Sequence, residues 1–173
     1  MKLIKLTKEY REQLCGMIAE WREELDRTGA KPIPAPIFKN DPCDIERYTD
    51  QLEYKTATGD MVPDSVFFLF DEERDRLIGA VHIRHYLNEY LSKQSGHIGI
   101  GIRPSERRKG YATLMLGLAL RECERLGIDK ALITCDRENV GSAKAIIRNG
   151  GVLDEEFIGA SGKVRQRYTV KIK

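Results

Sequence analysis

The segment from Gly99 to Thr113 has the residue types and the order of an anion-binding loop. A β-branched, apolar run ends at Pro104, and the basic stretch Arg107-Arg108-Lys109 then leads through Gly110 into an apolar, helix-forming sequence. The first N–H groups of a helix have no partner within the helix, and the helix dipole adds partial positive charge there. A phosphate group fits such a helix start, so the segment predicts a phosphate-binding loop.

The residues around this loop support close contact with a ligand. Gly110 has no Cβ between the backbone and a bound group, and the small Ala112 keeps the next turn open. The sequence from Tyr111 to Leu120 predicts a helix that is buried on much of its circumference and holds the loop rigidly. The alternative interpretation is a solvated basic turn that only caps a helix.

Two nucleotide-binding motifs do not fit the same residues. A P-loop requires G-x-x-x-x-G-K-[ST], and the chain contains no such run. A dinucleotide-binding fingerprint requires a third glycine, whereas Gly99-Ile100-Gly101 is followed by Arg103 and Pro104.

A second segment has a similar order of elements. The apolar run from Ala131 to Cys135 predicts a strand, and a helix is predicted from about Ser142 to Asn149, closed by two glycines. Asn139 and Ser142 lie where this helix begins, which is also where Asn and Ser commonly cap a helix.

The hexapeptide Arg107-Arg108-Lys109-Gly110-Tyr111-Ala112 resembles the acyl-CoA signature Arg/Gln-x-x-Gly-x-Gly/Ala of the GCN5-related N-acetyltransferase (GNAT) superfamily. The stretches 83–88 and 96–99 further resemble a bacterial branch of predicted acetyltransferases. The resemblance implies that the loop amides hold the CoA pyrophosphate and that the preceding strand pairs with the pantetheine arm. It implies the following residues in acetyl-CoA binding: Ile100, Ile102, Arg107, Arg108, Lys109, Gly110, Tyr111, Ala112, Thr113, Asn139 and Ser142.

The order of predicted elements matches the superfamily over nearly the full chain. The resemblance implies a mixed α/β (α+β) fold with a mostly antiparallel central sheet of about six to seven strands and about four helices, in a single domain over residues 1–173. Periodicity predicts these strands: 2–6, 65–70, 77–86, 97–102, 131–135, 151–158 and 165–172. It predicts these helices: 8–27, 44–54, 111–120 and 142–149. The proline-rich segment 29–44 is predicted to be a surface loop.

The implied activity is direct transfer of an acetyl group from acetyl-CoA to a primary amine of a small molecule or peptide. An amine with a pKa of about 10 must lose a proton before it attacks the thioester. We predict His97 as the base, because it falls where many members of the superfamily have a glutamate and because histidine titrates near neutral pH. A purely structural histidine is an equal alternative. His82 and His85 compete for the role, and they face opposite sides of one strand.

One position departs from the family pattern. Many relatives have a tyrosine five residues after the serine of the second helix, which protonates the departing CoA thiolate, and here that residue is Ile147. Tyr168 and Tyr111 are the remaining candidates for this donor. The departure keeps a second hypothesis open, which is a non-catalytic acyl-CoA-binding sensor or regulatory module.

Charge, hydropathy and cysteine spacing limit the classes of protein that fit this sequence. The 173 residues carry a net charge of only +2, which does not suggest a nucleic-acid partner. No apolar run is long enough to span a membrane and the N-terminus does not resemble a signal peptide, so we expect a cytoplasmic protein. The four cysteines are widely spaced, which predicts buried thiols and no metal site. Dimers are common in the superfamily, so the resemblance allows a homodimer, and the sequence leaves the oligomeric state open.

Overall fold

A computed structural model describes residues 1–172; Lys173, the last residue of the predicted single domain, lies outside the described residues. The chain forms a mixed α+β fold. Its seven strands are β1 (Lys2–Ile4), β2 (Asp64–Asp71), β3 (Arg76–Arg84), β4 (Ile98–Ile102), β5 (Lys130–Asp136), β6 (Val152–Ile158) and β7 (Val164–Lys171). Its five helices are α1 (Arg11–Thr28), α2 (Ile45–Asp50), α3 (Glu89–Gln94), α4 (Tyr111–Arg125) and α5 (Val140–Arg148).

The strands form two antiparallel sheets with the orders β1-β2-β3-β4 and β5-β7-β6. The predicted fold class and strand number are confirmed, but the expected central sheet is divided in two. The sheets meet at an isolated bridge between Gly96 and Ile133, and the His97 N–H donates to the Leu132 carbonyl at 2.7 Å. Beyond this junction β4 is the edge strand of its sheet.

The sequence predicted four helices and missed α3. This helix has only six residues, and its start is fixed by Asn88, whose side chain accepts a hydrogen bond from the Leu91 N–H at 2.8 Å. A helix this short carries almost no periodic signal and depends on its cap and on tertiary contacts. Some observed ends also differ from the predicted ones: β3 ends at Arg84, α2 ends at Asp50 and α4 continues to Arg125.

Two hydrophobic clusters cover opposite faces of the four-stranded sheet. One packs α4 and α5 against both sheets, with Met115, Leu116 and Ile146 fully buried. The other packs α1, α2 and the proline-rich segment against β2 and β3, with Leu14 and Phe68 fully buried. Removing this apolar surface from water stabilises the scaffold, and each large side chain contributes about 2 kcal/mol. The strand ends and helix starts described below are therefore held rigidly.

The proline-rich segment is only partly irregular. Residues Ala35–Phe38 form a short 3-10 turn that begins after Pro34, and Ile37 is fully buried beneath it. Pro36 lies within the first turn, where a backbone N–H has no partner in the helix and proline is therefore tolerated. None of the helices in residues 1–172 is long and apolar enough to cross a membrane.

Candidate cofactor-binding site

A cleft of about 830 Å³ lies beside the free edge of β4. Its walls come from five parts of the chain: the last residues of β4, the loop before α4, the start of α4, the start of α5 and the end of α1 with the residues after it. Of the residues predicted to bind the cofactor, ten line this cleft: Ile100, Ile102, Arg107, Arg108, Gly110, Tyr111, Ala112, Thr113, Asn139 and Ser142. The structure thus brings together two sequence segments that are thirty residues apart.

The backbone of β4 offers hydrogen-bonding groups to the cleft. Arg103 N–H donates to the Ile78 carbonyl and Arg84 N–H donates to the His97 carbonyl, which fixes the register of β4 on β3. In an antiparallel pair, alternate residues direct their N–H and C=O groups to the partner. The intervening residues Ile100 and Ile102 therefore direct theirs to the open edge. An extended amide chain could pair with this edge as an added strand does.

The helix start after the loop has unpaired donors. Gly110 has a φ of 85° and places no side chain over the start of α4, and no side-chain cap occurs there. The N–H groups of Tyr111 and Ala112 therefore point toward the cleft with partial positive charge. A Cβ at Gly110 would meet no atom within 4 Å, so the space in front of this helix start is open. The arrangement is that of an anion site.

Two arginines join the loop to α1. Arg103 is 8% exposed and donates to Glu20 through Nε at 2.8 Å, and Ser105 Oγ donates to the same carboxylate at 2.7 Å. Although burial opposes it, these hydrogen bonds lower the pKa of Glu20. Arg107 donates to both oxygens of Glu24 at 2.5 and 2.6 Å, and its Nε donates to the Ile102 carbonyl. The loop is therefore anchored to α1 through charge-assisted hydrogen bonds.

The three basic residues of the loop have different surroundings. Lys109 turns away from the cleft and donates to the Ser105 carbonyl at 3.2 Å and to the buried Glu106 at 3.0 Å. Arg107 is paired with Glu24. Arg108 is exposed and has neither a hydrogen bond nor an ion pair to any residue from 1 to 172. Among the predicted cations, Arg108 is therefore the one available for a phosphate group.

The sequence analysis missed several charged residues of the cleft. Lys144 and Arg148 extend from α5 into it, and Lys31 lines it from the segment after α1. With Arg107 and Arg108 they give five cationic lining residues, against three acidic ones, Glu24, Glu106 and Glu138. The spacing of four residues between Lys144 and Arg148 places both on one helix face and could have indicated them.

Residues at the start of α5 both cap the helix and line the cleft. Asn139 Oδ1 accepts a hydrogen bond from the Ser142 N–H at 3.0 Å, so Asn139 is the N-cap. The Ser142 side chain contacts the thiol of Cys135 on β5. Burial raises the pKa of Cys135, which makes this thiol unreactive. The predicted binding role of Asn139 and Ser142 is compatible with capping, because both residues also line the cleft.

The segment after α1 closes one side of β4. A Cβ on Gly101 would lie 2.2 Å from the Ile33 carbonyl oxygen and 2.9 Å from Pro34 Cδ. At Gly99 the nearest such atom, Pro34 Cβ, would be 4.0 Å away. The proline-rich segment therefore rests directly on the backbone of β4, and Gly101 permits that contact.

His97 lies at the junction of the two sheets. Its Nδ1 accepts a hydrogen bond from the Leu132 N–H at 3.0 Å. Burial and the positive charge of Arg84 lower the pKa of His97 from 6.5 to about 4. The ring is thus neutral at pH 7, and with Nδ1 accepting, its proton is on Nε2. In this arrangement Nε2 donates and has no lone pair to receive a proton, which does not favour the predicted role as base.

The other two histidines have polar partners on opposite faces of the sheet, as the strand periodicity predicts. His82 is 3% exposed and its Nε2 lies 2.8 Å from Asp64 Oδ2, while Asp64 Oδ1 accepts the Tyr54 N–H. Burial lowers the pKa of His82. His85 Nε2 lies 2.9 Å from Ser65 Oγ. Neither ring lines the cleft.

The two candidate donors for the leaving thiolate differ: the Tyr168 hydroxyl already donates to a neighbour, whereas the Tyr111 hydroxyl only accepts and keeps its proton free to donate. Ile147 is 56% exposed at the position where relatives have a tyrosine. Tyr168 is buried and donates to Gln166 Oε1 at 2.8 Å, and burial raises its pKa. Tyr111 lines the cleft, and its hydroxyl accepts from Arg74 at 3.2 Å. Within residues 1–172 no group of three or more His, Cys, Asp or Glu side chains could hold a metal ion.

The fold and the cleft place an open strand edge beside an uncapped helix start, an arrangement suited to a ligand that joins an extended amide chain to a phosphate group. Residues 11–152 match a family model described as the acetyltransferase (GNAT) domain. The chain therefore belongs to the GNAT family of acetyltransferases. The comparison with curated proteins gave no match.

Solved structures share the fold over nearly the full chain. A spermidine N-acetyltransferase chimera from Vibrio cholerae and hSSAT is 17% identical with a TM-score of 0.65, over 99% of this chain and 97% of that one. The microcin C7 self-immunity acetyltransferase, in complex with acetyl-CoA and AMP, is 18% identical with a TM-score of 0.66, over 98% and 91%. The ribosomal L7/L12 alpha-N-protein acetyltransferase, in complex with coenzyme A, is 14% identical with a TM-score of 0.65, over 98% and 92%.

Proposed function

We propose that this protein is an acetyl-CoA-dependent N-acetyltransferase that transfers the acetyl group directly to a primary amine of a small molecule or peptide. One observation carries the proposal. A single cleft joins the free edge of β4 to an uncapped helix start and to a surplus of cations. These are the contacts that an extended amide chain ending in a pyrophosphate requires.

Different residues of the cleft bind different parts of the acetyl-CoA molecule. The N–H groups of Tyr111 and Ala112 donate hydrogen bonds to the pyrophosphate oxygens, and the guanidinium of Arg108 adds a full positive charge beside them. Lys144 and Arg148 extend the positive surface along α5. The backbone of Ile100 and the N–H of Ile102 pair with the pantetheine amides, while the Ile102 carbonyl already accepts from Arg107.

We propose that His97 is a positioning residue rather than the base. Its bond to the Leu132 N–H fixes the point at which β4 and β5 separate, while the cleft wall begins further along β4 at Ile100, so His97 itself does not line the cleft. His97 therefore acts on the site only through the position of β4. The acceptor ammonium loses a proton to water before it attacks the thioester carbon; when the C–S bond breaks, the CoA thiolate leaves and takes a proton from water, and the new amide nitrogen gives up its second proton to water.

Two variants separate the roles of His97. His97→Asn places an amide oxygen where Nδ1 stands and keeps the acceptor for Leu132, whereas His97→Ala removes it. Under our proposal His97→Asn retains most of the acetyl-CoA affinity and most of kcat, with an unchanged pH profile. His97→Ala should weaken acetyl-CoA binding. If His97 were the base, both variants would lose turnover alike and the acid limb of kcat against pH would disappear.

The acceptor is proposed as an amine because the structural neighbours include enzymes named for spermidine and for a protein amino terminus. The test is release of CoA thiol, separated by chromatography, from acetyl-CoA with polyamines, amino acids, aminoglycosides and short peptides. Release with one class of amine, together with an acetylated product by mass spectrometry, would support the proposal. Tight acetyl-CoA binding without release for any amine would favour the non-catalytic binding module instead. Homodimer formation and a cytoplasmic location stay predictions.

A further inference from the structure

Arg84, the last residue of β3, is a half-buried arginine that forms no ion pair with any residue from 1 to 172. Its Nη1 donates to the Gly96 carbonyl at 2.9 Å. Its Nε is enclosed and has no hydrogen-bond partner, and Nη2 also bonds to no other residue of the described chain. Two of the three guanidinium nitrogens are therefore unused.

The acidic residue opposite Arg84 in the sheet is already engaged. Asp64 of β2 is the direct cross-strand partner of Arg84. Its Oδ2 lies 2.8 Å from His82 Nε2, and its Oδ1 accepts the Tyr54 N–H at 2.8 Å. The carboxylate is thus turned toward His82 and does not neutralise the guanidinium by a direct contact.

Arg165 of β7 shows how a structural arginine is satisfied in the same part of the molecule. It donates to the Gln94 carbonyl at 2.5 Å, at the last residue of α3, and its Nε lies 3.3 Å from Asp136 Oδ1. Arg84 makes the same kind of carbonyl contact two residues further on, at Gly96, but has no carboxylate. A partly buried charge without a counter-ion is costly, and burial lowers the pKa of Arg84.

The position of this guanidinium relates it to the proposed reaction. The proposed pyrophosphate site at the start of α4 adjoins Ile102, the last residue of β4. Because the pantetheine arm is extended along the β4 edge, its thioester end lies toward the first residues of that strand. Gly96, which Arg84 holds, lies two residues before β4 and forms the bridge to β5. An acceptor that reaches the thioester therefore comes close to Arg84.

We propose that Arg84 binds a carboxylate of the acceptor, so that the substrate is an amine that also carries a carboxylate group. The Nε and Nη2 N–H groups of a guanidinium point in parallel and match the two oxygens of one carboxylate. The bond from Nη1 to the Gly96 carbonyl already orients the group. The inference rests on the proposed function, because it concerns the acceptor of that reaction.

The first part of the experiment uses the unaltered protein. The assay for release of CoA thiol compares amines that differ only in a carboxylate: tyrosine with tyramine, histidine with histamine, lysine with cadaverine, and short peptides with their C-terminal amides. For the acceptor class that reacts, we expect kcat/KM to be at least about tenfold higher for the carboxylated member, since a hydrogen-bonded ion pair is lost in the other.

The second part uses variants of Arg84 with the same pair of acceptors. Arg84→Gln removes the charge, whereas Arg84→Lys keeps a charge and a donor for Gly96 but loses the planar fork. We expect KM for the carboxylated acceptor to rise roughly 10- to 100-fold in Arg84→Gln and less in Arg84→Lys. The KM for the carboxylate-free acceptor and the Kd for acetyl-CoA should change little in either variant.

Arg165→Gln is the matched control, because it removes a guanidinium that donates to a carbonyl in the same part of the chain. It should leave the ratio of kcat/KM between the two acceptors unchanged, and melting temperatures report whether each variant folds.

Three results would count against the inference. A carboxylate-free amine that reacts as well as its carboxylated partner in the unaltered protein would overturn the role of Arg84 and leave the acetyltransferase proposal intact. An equal loss of activity with both acceptors in Arg84→Gln would show that Arg84 is only structural. Absence of thiol release with every amine would overturn the proposed function itself, and this inference with it.

Discussion

Arg107 is bound to Glu24 of α1 by two parallel hydrogen bonds of 2.5 and 2.6 Å, so the first residue of the basic loop faces a helix instead of the adjacent helix start. Both residues line the cleft. Glu24 thus places a negative charge beside the site proposed for a pyrophosphate. It also holds the loop in place. The negative charge should weaken the binding of acetyl-CoA, whereas the anchoring of the loop should strengthen it.

Neutralising Glu24 should strengthen acetyl-CoA binding. In Glu24→Gln the amide oxygen still accepts from Arg107, but the repulsion of phosphate is lost, so we expect Kd to fall about threefold at low salt and less at high salt. Titration calorimetry at two ionic strengths measures this. Glu23→Gln, on the neighbouring exposed residue outside the cleft, is the matched control and should change Kd little. A tenfold weaker Kd for Glu24→Gln would show that anchoring outweighs repulsion.

A carboxylate at the helix start should remove acetyl-CoA binding. Gly110→Glu adds a negative charge in front of the Tyr111 and Ala112 amides, and we expect Kd to weaken at least tenfold. The left-handed backbone at Gly110 also costs about 1 kcal/mol of stability for any other residue.

Gly127→Glu is the control for that strain. Gly127 has a φ of 75° and, like Gly110, no atom within 4 Å of an added Cβ, but it lies outside the cleft. It should lose similar stability and keep the wild-type Kd. Equal Kd values for Gly110→Glu and wild type would contradict the proposed anion site.

Two glycines of β4 should respond differently to the same substitution. Gly101→Ala drives a methyl group into the Ile33 carbonyl at 2.2 Å, so we expect a loss of about 2 kcal/mol in the free energy of unfolding. Gly99→Ala meets Pro34 at ordinary contact distance and should change stability by less than about 0.5 kcal/mol. Urea unfolding of both variants measures the difference. Equal stability of the two would show that the proline-rich segment does not rest on β4.

Acid should destabilise the protein in part through His97. Its pKa is about 4 in the folded chain against 6.5 unfolded, so its contribution to stability is complete above pH 6.5 and is lost as pH falls from 6.5 to 4. The limiting slope for one group is about 1.4 kcal/mol per pH unit, and solvent screening of this partly exposed ring reduces it.

His97→Asn removes that proton linkage. The stability difference between wild type and variant should therefore shrink as pH falls from 6.5 to 4.5, measured by urea unfolding at several pH values. Burial lowers the pKa of His82 in wild type and variant alike, so protonation of His82 does not change the stability difference between them. Parallel stability curves for wild type and His97→Asn would contradict the low pKa of His97.

Elements with strong hydrophobic periodicity or a local motif could be predicted from the sequence. The helix after Gly110 was predicted, and Asn139 was one of two residues expected to cap α5, because both features depend on residues that are near one another in the chain. The short helix α3 was missed because six residues fill less than two turns.

Contacts between residues that are far apart in the chain could not be predicted in the same way. The pairing of Arg107 with Glu24 joins residues 83 positions apart, and the hydrogen bond from Arg11 to the Cys43 carbonyl depends on how the proline-rich segment returns to α1. His97 shows the same limit. Its type suggested a base, but its tautomer is set by the Leu132 N–H, which only the meeting of two sheets brings near.

The most direct test of the proposed site is to follow the backbone amide resonances during a titration with acetyl-CoA. We predict that the largest shift changes fall on Gly110, Tyr111 and Ala112 and on Ile100 and Ile102 of the open strand edge, with smaller changes on β1 and β2. Changes of similar size across the whole chain, or a saturable set of changes that leaves these five amides unmoved, would contradict the assignment of the cleft to acetyl-CoA.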